Sequence, residues 1–324
     1  SRSLATMLCF FAATPALRLA PPVMQVQDAK TAAAGTLTGD FSGVVVPTAS
    51  SVAAKLSANR ALVDALKTTA PDMSEISLLR FALAFPEKAE AEAALRETVA
   101  WRNGAGKAIV ESAAEAVVKA TANGGWDNEP VRQAAPHAAA INPFITPKNI
   151  LTLPTPEGDL VYVIRASLID DKAMMSKVTV DQLVEFLLYV KEVHSLCVNA
   201  RSERSGRLCS VTFANDITGT RKAPDPQFSK ALTASSKSYE KLYPSLAGPT
   251  LILNLPFILQ AFVGLFKPLF PKSVQKRLKF TQAPVLGKLE ELTVLTTDAA
   301  TRKKFLGEID NLLDDGFYAT GSNM

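Results

Sequence analysis

Glu157-Gly158-Asp159-Leu160-Val161-Tyr162-Val163-Ile164 marks the point at which the periodicity of the chain changes. A turn signal runs straight into a short, continuously apolar, β-branched stretch. That combination predicts a strand buried on both faces. Upstream the repeat is helical. Ser74 precedes Ile76, Leu78, Leu79, Phe81 and Leu83, a run that stops before Pro86. Pro86-Glu87 opens a second helix with Ala91, Ala94, Leu95, Val99 and Trp101 on its apolar side. A third is expected from Lys107 to Ala122, ended by Asn123-Gly124-Gly125. Residues 124–156 carry six prolines and read as an irregular connector.

Downstream, strands and helices alternate. A helix is expected from Val180 to Ala200, started by the capping-box pair Thr179 and Gln182. Its apolar stripe runs through Leu183, Val184, Leu187, Leu188, Val190, Leu196 and Cys197. An Arg/Ser/Gly loop at 201–207 leads to a strand from Leu208 to Ala214. A helix from Pro226 to Leu242, a strand from Thr250 to Asn254 and a closing helix from Ala299 to Leu313 follow. Lys279 to Phe280 and Leu292 to Thr296 are weaker strand candidates. Strands joined by long helices predict an α/β fold with partly parallel pairing, preceded by a small helical subdomain.

Composition narrows the chemistry. The 324 residues are 48% hydrophobic and 20% charged, with a net charge of +4. That is a globular composition with no Lys/Arg stripe interleaved with aromatics, so no nucleic-acid partner is expected. Cys9, Cys197 and Cys209 are too widely spaced for a metal site or disulfide framework. His137 and His194 share no motif. No G-x-S-x-G elbow, G-x-x-x-x-G-K-[ST] loop or G-x-G-x-x-G fingerprint is present. The adjacent acids Asp170-Asp171 and Glu290-Glu291 would point apart, as solvated pairs do. No enzyme, metal or cofactor is expected.

Residues 1–27 hold Arg2 and Arg18 but no acid in the stretch up to Gln27, and a short apolar run, Leu4 to Ala13. The run is too short to span a bilayer. An acid-poor leader of this kind predicts targeting to a plastid, with a cytoplasmic protein bearing a disordered tail as the alternative.

The segment after the strand Thr250-Leu251-Ile252-Leu253-Asn254 carries the functional expectation. From Pro256 a helix would set Ile258, Phe262, Leu265 and Phe266 on one face and Leu259 and Val263 on another. A helix apolar nearly all round must be covered by protein, ligand or membrane. Asn254, Pro256, Gln260 and Pro268 interrupt the run, so it falls short of a membrane span. A plain core helix is one reading and a lid over an apolar pocket the other. Lys267, Lys272, Lys276, Arg277 and Lys279 crowd its end, where each cation near an anionic leaflet contributes on the order of 1 kcal/mol. An apolar helix with a basic edge is what a membrane-touching gate needs.

Several of these stretches together resemble the CRAL-TRIO lipid-binding family. Leu78-Leu79-Arg80-Phe81, Ala94-Leu95 and Trp101-Arg102 are similar to its helical N-terminal subdomain. Phe213-Ala214-Asn215-Asp216-Ile217-Thr218-Gly219 resembles its strand ending in an Asp-x-x-Gly turn. Tyr243-Pro244, Leu253-Asn254-Leu255-Pro256-Phe257 and Phe266-Lys267-Pro268 resemble its Tyr-Pro, Asn-x-Pro and Lys-Pro signature. Ala82-Leu83-Ala84 replaces the basic residues usual after the first motif, and Leu286 to Leu292 replaces a Pro-Glu-x-x-Gly-Gly ending. A neutral or plastid lipid, a tocopherol-like or a carotenoid-like molecule therefore stays open as ligand.

The resemblance implies a mixed, mostly parallel sheet with flanking helices and a gate helix. It implies an apolar pocket floored by Val163, Val211, Phe213 and Leu253, with Phe257, Ile258, Phe262 and Phe266 as lid contacts. Lys267, Lys272, Lys276 and Arg277 would meet the membrane surface. The expected organisation is a leader at 1–35, a helical subdomain at 50–123, the lipid-binding domain at 140–297 and a C-terminal helix and tail at 298–324. The expected partners are a lipid or other hydrophobic molecule and a membrane; the alternative is a structural subunit of a membrane protein complex.

Overall fold

The computed structural model describes residues 41–122, 126–219, 224–254, 278–280 and 292–314, the backbone alone at 278–280 and 314. The helical part opens with α1 (Val52–Thr69), α2 (Glu75–Ala84), α3 (Lys88–Asn103) and α4 (Lys107–Thr121). Ser51 and Ser74 accept the backbone N–H groups that start α1 and α2. Val63, Leu66, Leu78, Leu79, Ala91 and Leu95 build a small core of their own among α1–α3. The stop expected at Asn123-Gly124-Gly125 lies outside the described residues.

The stretch read as an irregular connector contains order: α5 (Asn128–Ala134), α6 (Ala138–Ile141) and an edge strand, β1 (Ile150–Pro154). β1 pairs antiparallel with β2 (Leu160–Arg165), Leu151 opposite Val163 and Leu153 opposite Val161. The prolines hide it because Pro154 closes the strand and Pro147 precedes it, positions an edge strand tolerates.

α7 (Asp171–Met175) and α8 (Val180–Ser205) connect β2 to β3 (Val211–Asp216). The Thr179–Gln182 capping box starts α8 as expected, and Gly206 ends it at φ 71°. α8 runs on to Ser205, into the segment predicted as the 201–207 loop. The reason is Arg201, 1% exposed, which donates to the carbonyls of Gly158 and Thr155 and so has a buried use on the helix. α9 (Pro226–Leu242) and β4 (Ala247–Leu253) follow, then β5 (Leu278–Phe280), α10 (Val294–Thr297) and α11 (Ala299–Asp314). The expected strand at Leu292 to Thr296 is instead the short helix α10, in which Leu295 packs beside Leu292 and α11.

The sheet runs β1-β2-β3-β4-β5, with every pair after the first parallel. Its two faces are both apolar. Leu160, Tyr162, Ile164, Val211, Phe213 and Ile252 lie under α4, α8 and α9 in the main core. Leu151, Leu153, Val161, Val163, Ala214, Leu251 and Leu253 form the opposite face, against Leu292, Leu295, Phe305, Leu306 and Ile309. Two-sided burial is why Leu160 to Ile164 of β2 reads as an unbroken apolar run. Among the described residues no helix is long and apolar enough to cross a membrane.

Candidate functional site

The predicted floor residues divide between the two faces. Val163 and Leu253 share the face covered by α10 and α11, and both are fully buried. Val211 and Phe213 point the other way, into the core beneath α8 and α9. Strand alternation forces the split. Val163 is level with Ala214, and Ala214 with Leu251, so the β3 residue beside Val163 is Ala214. Val161, Ala214 and Leu251 therefore share the face of Val163 and Leu253, and Val211 and Phe213 do not. Phe257, Ile258, Phe262, Phe266, Lys267, Lys272, Lys276 and Arg277 lie outside the described residues.

A polar knot closes the C-terminal end of this face, where open α/β sheets tend to carry their ligands. Arg165 at the end of β2 donates from Nε to Asp216 Oδ2 at 3.0 Å. The other oxygen of Asp216 accepts from the Thr218 N–H and from Asn254 Nδ2, each at 2.9 Å. The Arg165 and Asp216 side chains are 11% and 1% exposed. Asn254 takes a left-handed φ of 56°, so its side-chain bond also fixes the direction in which the chain leaves β4. Gly219, φ 74°, completes the Asp-x-x-Gly turn. Sequence reading singled out Asp216 and Asn254 and missed Arg165, whose signal is a lone cation ending an apolar strand.

The opposite face holds a second buried polar set. Lys191 Nζ sits 5.6, 5.1 and 5.1 Å from the ring centres of Tyr162, Phe213 and Tyr239. His194, one turn on, lies 3.1 Å through Nε2 from Thr152 Oγ1. Burial first, and Lys191 second, hold His194 well below its usual range, so the ring is neutral. Cys197 is likewise pushed up to about 12 by burial. Neither group is a reactive one at neutral pH. Among the described residues no cluster of His, Cys, Asp and Glu could hold a metal ion.

The helical subdomain is bolted to this domain by two arginines. Arg80, 3% exposed, donates to Asn199 Oδ1 (2.8 Å), the Ser245 carbonyl (2.7 Å) and the Cys209 carbonyl (2.8 Å). Arg102 makes a two-pronged pair with buried Glu192, both contacts at 2.8 Å. Between these two anchors lies a cleft of about 360 Å³. It sits on the outer side of α8, with the helix and the sheet between it and Val163.

A family model described as CRAL/TRIO domain matches residues 146–293. No curated protein matches the chain. The matched stretch begins just before β1, takes in all five strands and ends on the threshold of α10. CRAL/TRIO domains bind and transfer hydrophobic small molecules and lipids, and are in general not catalysts. The apolar, two-sided sheet and the motifs at Asp216 and Asn254 fall inside the match. Residues 146–293 of this chain thus match the CRAL/TRIO domain family in sequence.

Proposed function

We propose that the domain encloses a lipid or another hydrophobic small molecule against the sheet face of Val161, Val163, Ala214, Leu251 and Leu253, and carries or presents it at a membrane surface. The observation that carries this reading is the face itself. It is an apolar surface broken only by Thr212 among the described strand residues before it ends in the Arg165–Asp216–Asn254 knot, on the side of the sheet away from α8 and α9. In this proposal the segment after Asn254 is the cover. Phe257, Ile258, Phe262 and Phe266 meet the ligand, and Lys267, Lys272, Lys276 and Arg277 meet anionic lipid. The acid-poor leader makes a plastid membrane the proposed setting.

A cover is a physical need. At about 0.8 kcal/mol per methylene, a two-chain lipid left in water bears a penalty on the order of 20 kcal/mol. Carriage requires near-complete enclosure, and exchange requires opening at a membrane. One structural feature favours a second reading. Phe305, Leu306 and Ile309 of α11 already lie in the cluster of this face. A face filled by the chain's own helix would suit a structural subunit with a permanently closed pocket.

Organic extraction with native mass spectrometry, followed by vesicle-to-vesicle transfer, separates the two. The carrier reading expects a co-purifying hydrophobic molecule that exchanges, and its loss in Phe262→Asp with the circular dichroism spectrum retained. A chain that yields no such molecule and moves none between vesicles overturns it in favour of the subunit.

A further inference from the structure

The cleft between the helical subdomain and α8 is a separate cavity with its own chemistry. Its volume, about 360 Å³, is in the range of small-molecule sites. Phe81, Val99, Leu196 and Leu246 supply an apolar wall, while Ser77, Ser195 and Tyr243 supply hydroxyls. Ser74, which caps α2, and Ser77 in its first turn stand at the same cavity.

Four charged side chains line it: the buried Arg80 and Glu192, the half-buried Arg102, and Asp72, which is exposed. Glu192 is neutralised by its two-pronged pair with Arg102. Arg80 is different: all three of its acceptors are neutral, one amide oxygen and two carbonyls. Burial lowers its guanidinium from 12.5 to about 10, as expected for a cation short of counter-charge. A guanidinium also has more N–H groups than these bonds use. Independently, the Tyr243 hydroxyl is buried close to the Glu192 carboxylate without a well-formed hydrogen bond among the described residues. Burial holds that phenol well above its usual range, so it is a donor at any physiological pH. A buried cation whose hydrogen-bond acceptors are all neutral and a buried phenol hydroxyl both line this half-apolar cavity.

We propose that this cleft binds a small amphiphilic anion, a carboxylate or phosphate monoester whose oxygens meet Arg80 and the Tyr243 hydroxyl and whose apolar part lies on Phe81, Val99, Leu196 and Leu246. The site is distinct from the sheet face and does not depend on the carrier reading. A soluble acid and the headgroup of an anionic lipid offer the same oxyanion chemistry.

The test is calorimetric titration of the full chain with octanoate and with inorganic phosphate. Saturable binding is expected for octanoate. It is lost in Ser195→Phe, which fills the cleft without touching Arg80. It weakens about tenfold in Tyr243→Phe, the loss of one hydrogen bond. It persists in Phe262→Asp, the variant that tests the carrier. Competition by phosphatidic acid in phosphatidylcholine vesicles assigns the occupant to lipid, and lack of competition assigns it to a soluble acid; both outcomes support the site. Absence of saturable binding by either probe overturns the proposal. So does octanoate binding that Phe262→Asp abolishes and Ser195→Phe leaves intact. Should Ser195→Phe not fold, hydrogen exchange on the wild-type chain decides. Octanoate-dependent protection is expected at 69–81 and 192–199, and protection confined to the strands overturns the site.

Discussion

Replacing Arg80 by Met and by Lys tests whether the anchor between subdomain and domain works through hydrogen bonds or through charge. Met keeps most of the aliphatic bulk and strands three acceptors: Asn199 Oδ1, the Ser245 carbonyl and the Cys209 carbonyl. A buried acceptor left unmatched costs about 1–3 kcal/mol. Asn199 is half-buried and water reaches it, whereas the Cys209 contact is buried, so the sum is about 4–5 kcal/mol. Against this, removing the cation removes its burial cost. A lowering from 12.5 to about 10 corresponds to roughly 3 kcal/mol. The net expectation for Arg80→Met is a loss of about 1–2 kcal/mol. Arg80→Lys keeps the charge in the same dry place, yet a point-like ammonium cannot span three divergent acceptors. It should lose more, about 3 kcal/mol. Urea unfolding followed by circular dichroism, in buffer free of organic anions, measures both. A Lys variant as stable as the wild type, or more stable than the Met variant, refutes the reasoning. That order would mean that positive charge itself is wanted there.

Two further outcomes follow from the helix-covered face. His194 is 1% exposed and neutral when folded, while the unfolded chain protonates it below its ordinary value of 6.5. Its contribution is therefore fully present above that pH and is lost as pH falls below it, at about 1.4 kcal/mol per unit. His194→Gln should flatten that part of the urea-derived stability profile, and an unchanged slope would show that His194 is not its source. Phe213→Ala should cost about 3–5 kcal/mol, by emptying core volume and opening the aromatic cage of Lys191, while leaving the extracted ligand unchanged. Ligand loss at retained fold would return Phe213 to the pocket floor.

Local signals were enough for the starts of α2, α8 and α9 because those ends are written in side chains. Ser74, Thr179 with Gln182, and Asp225 before Pro226 each satisfy orphan N–H groups within three residues of themselves. What escaped was set at a distance. β1 exists because Leu151 and Leu153 pair with Val163 and Val161, and nothing inside its own proline-flanked sequence announces a partner. The facing of Val211 and Phe213 was illegible for a related reason: both sides of β3 are buried, and its polar residues Thr212 and Asn215 fall on opposite faces, so neither marks a solvent side. α8 outran its predicted end because Arg201, polar in sequence, is spent inside on the Gly158 and Thr155 carbonyls. The Arg165–Asp216 pair joins residues 51 positions apart, and only register brings them level.

The family match ends at residue 293, yet α11 begins at Ala299 and its Phe305, Leu306 and Ile309 belong to the same cluster as Val161, Val163 and Leu251. Evolutionary unit and folding unit thus have different borders here. A chain trimmed at the homology border would bare a row of branched aliphatic side chains to solvent. Self-association of such a trimmed chain would report an uncovered sheet and say nothing about any guest molecule.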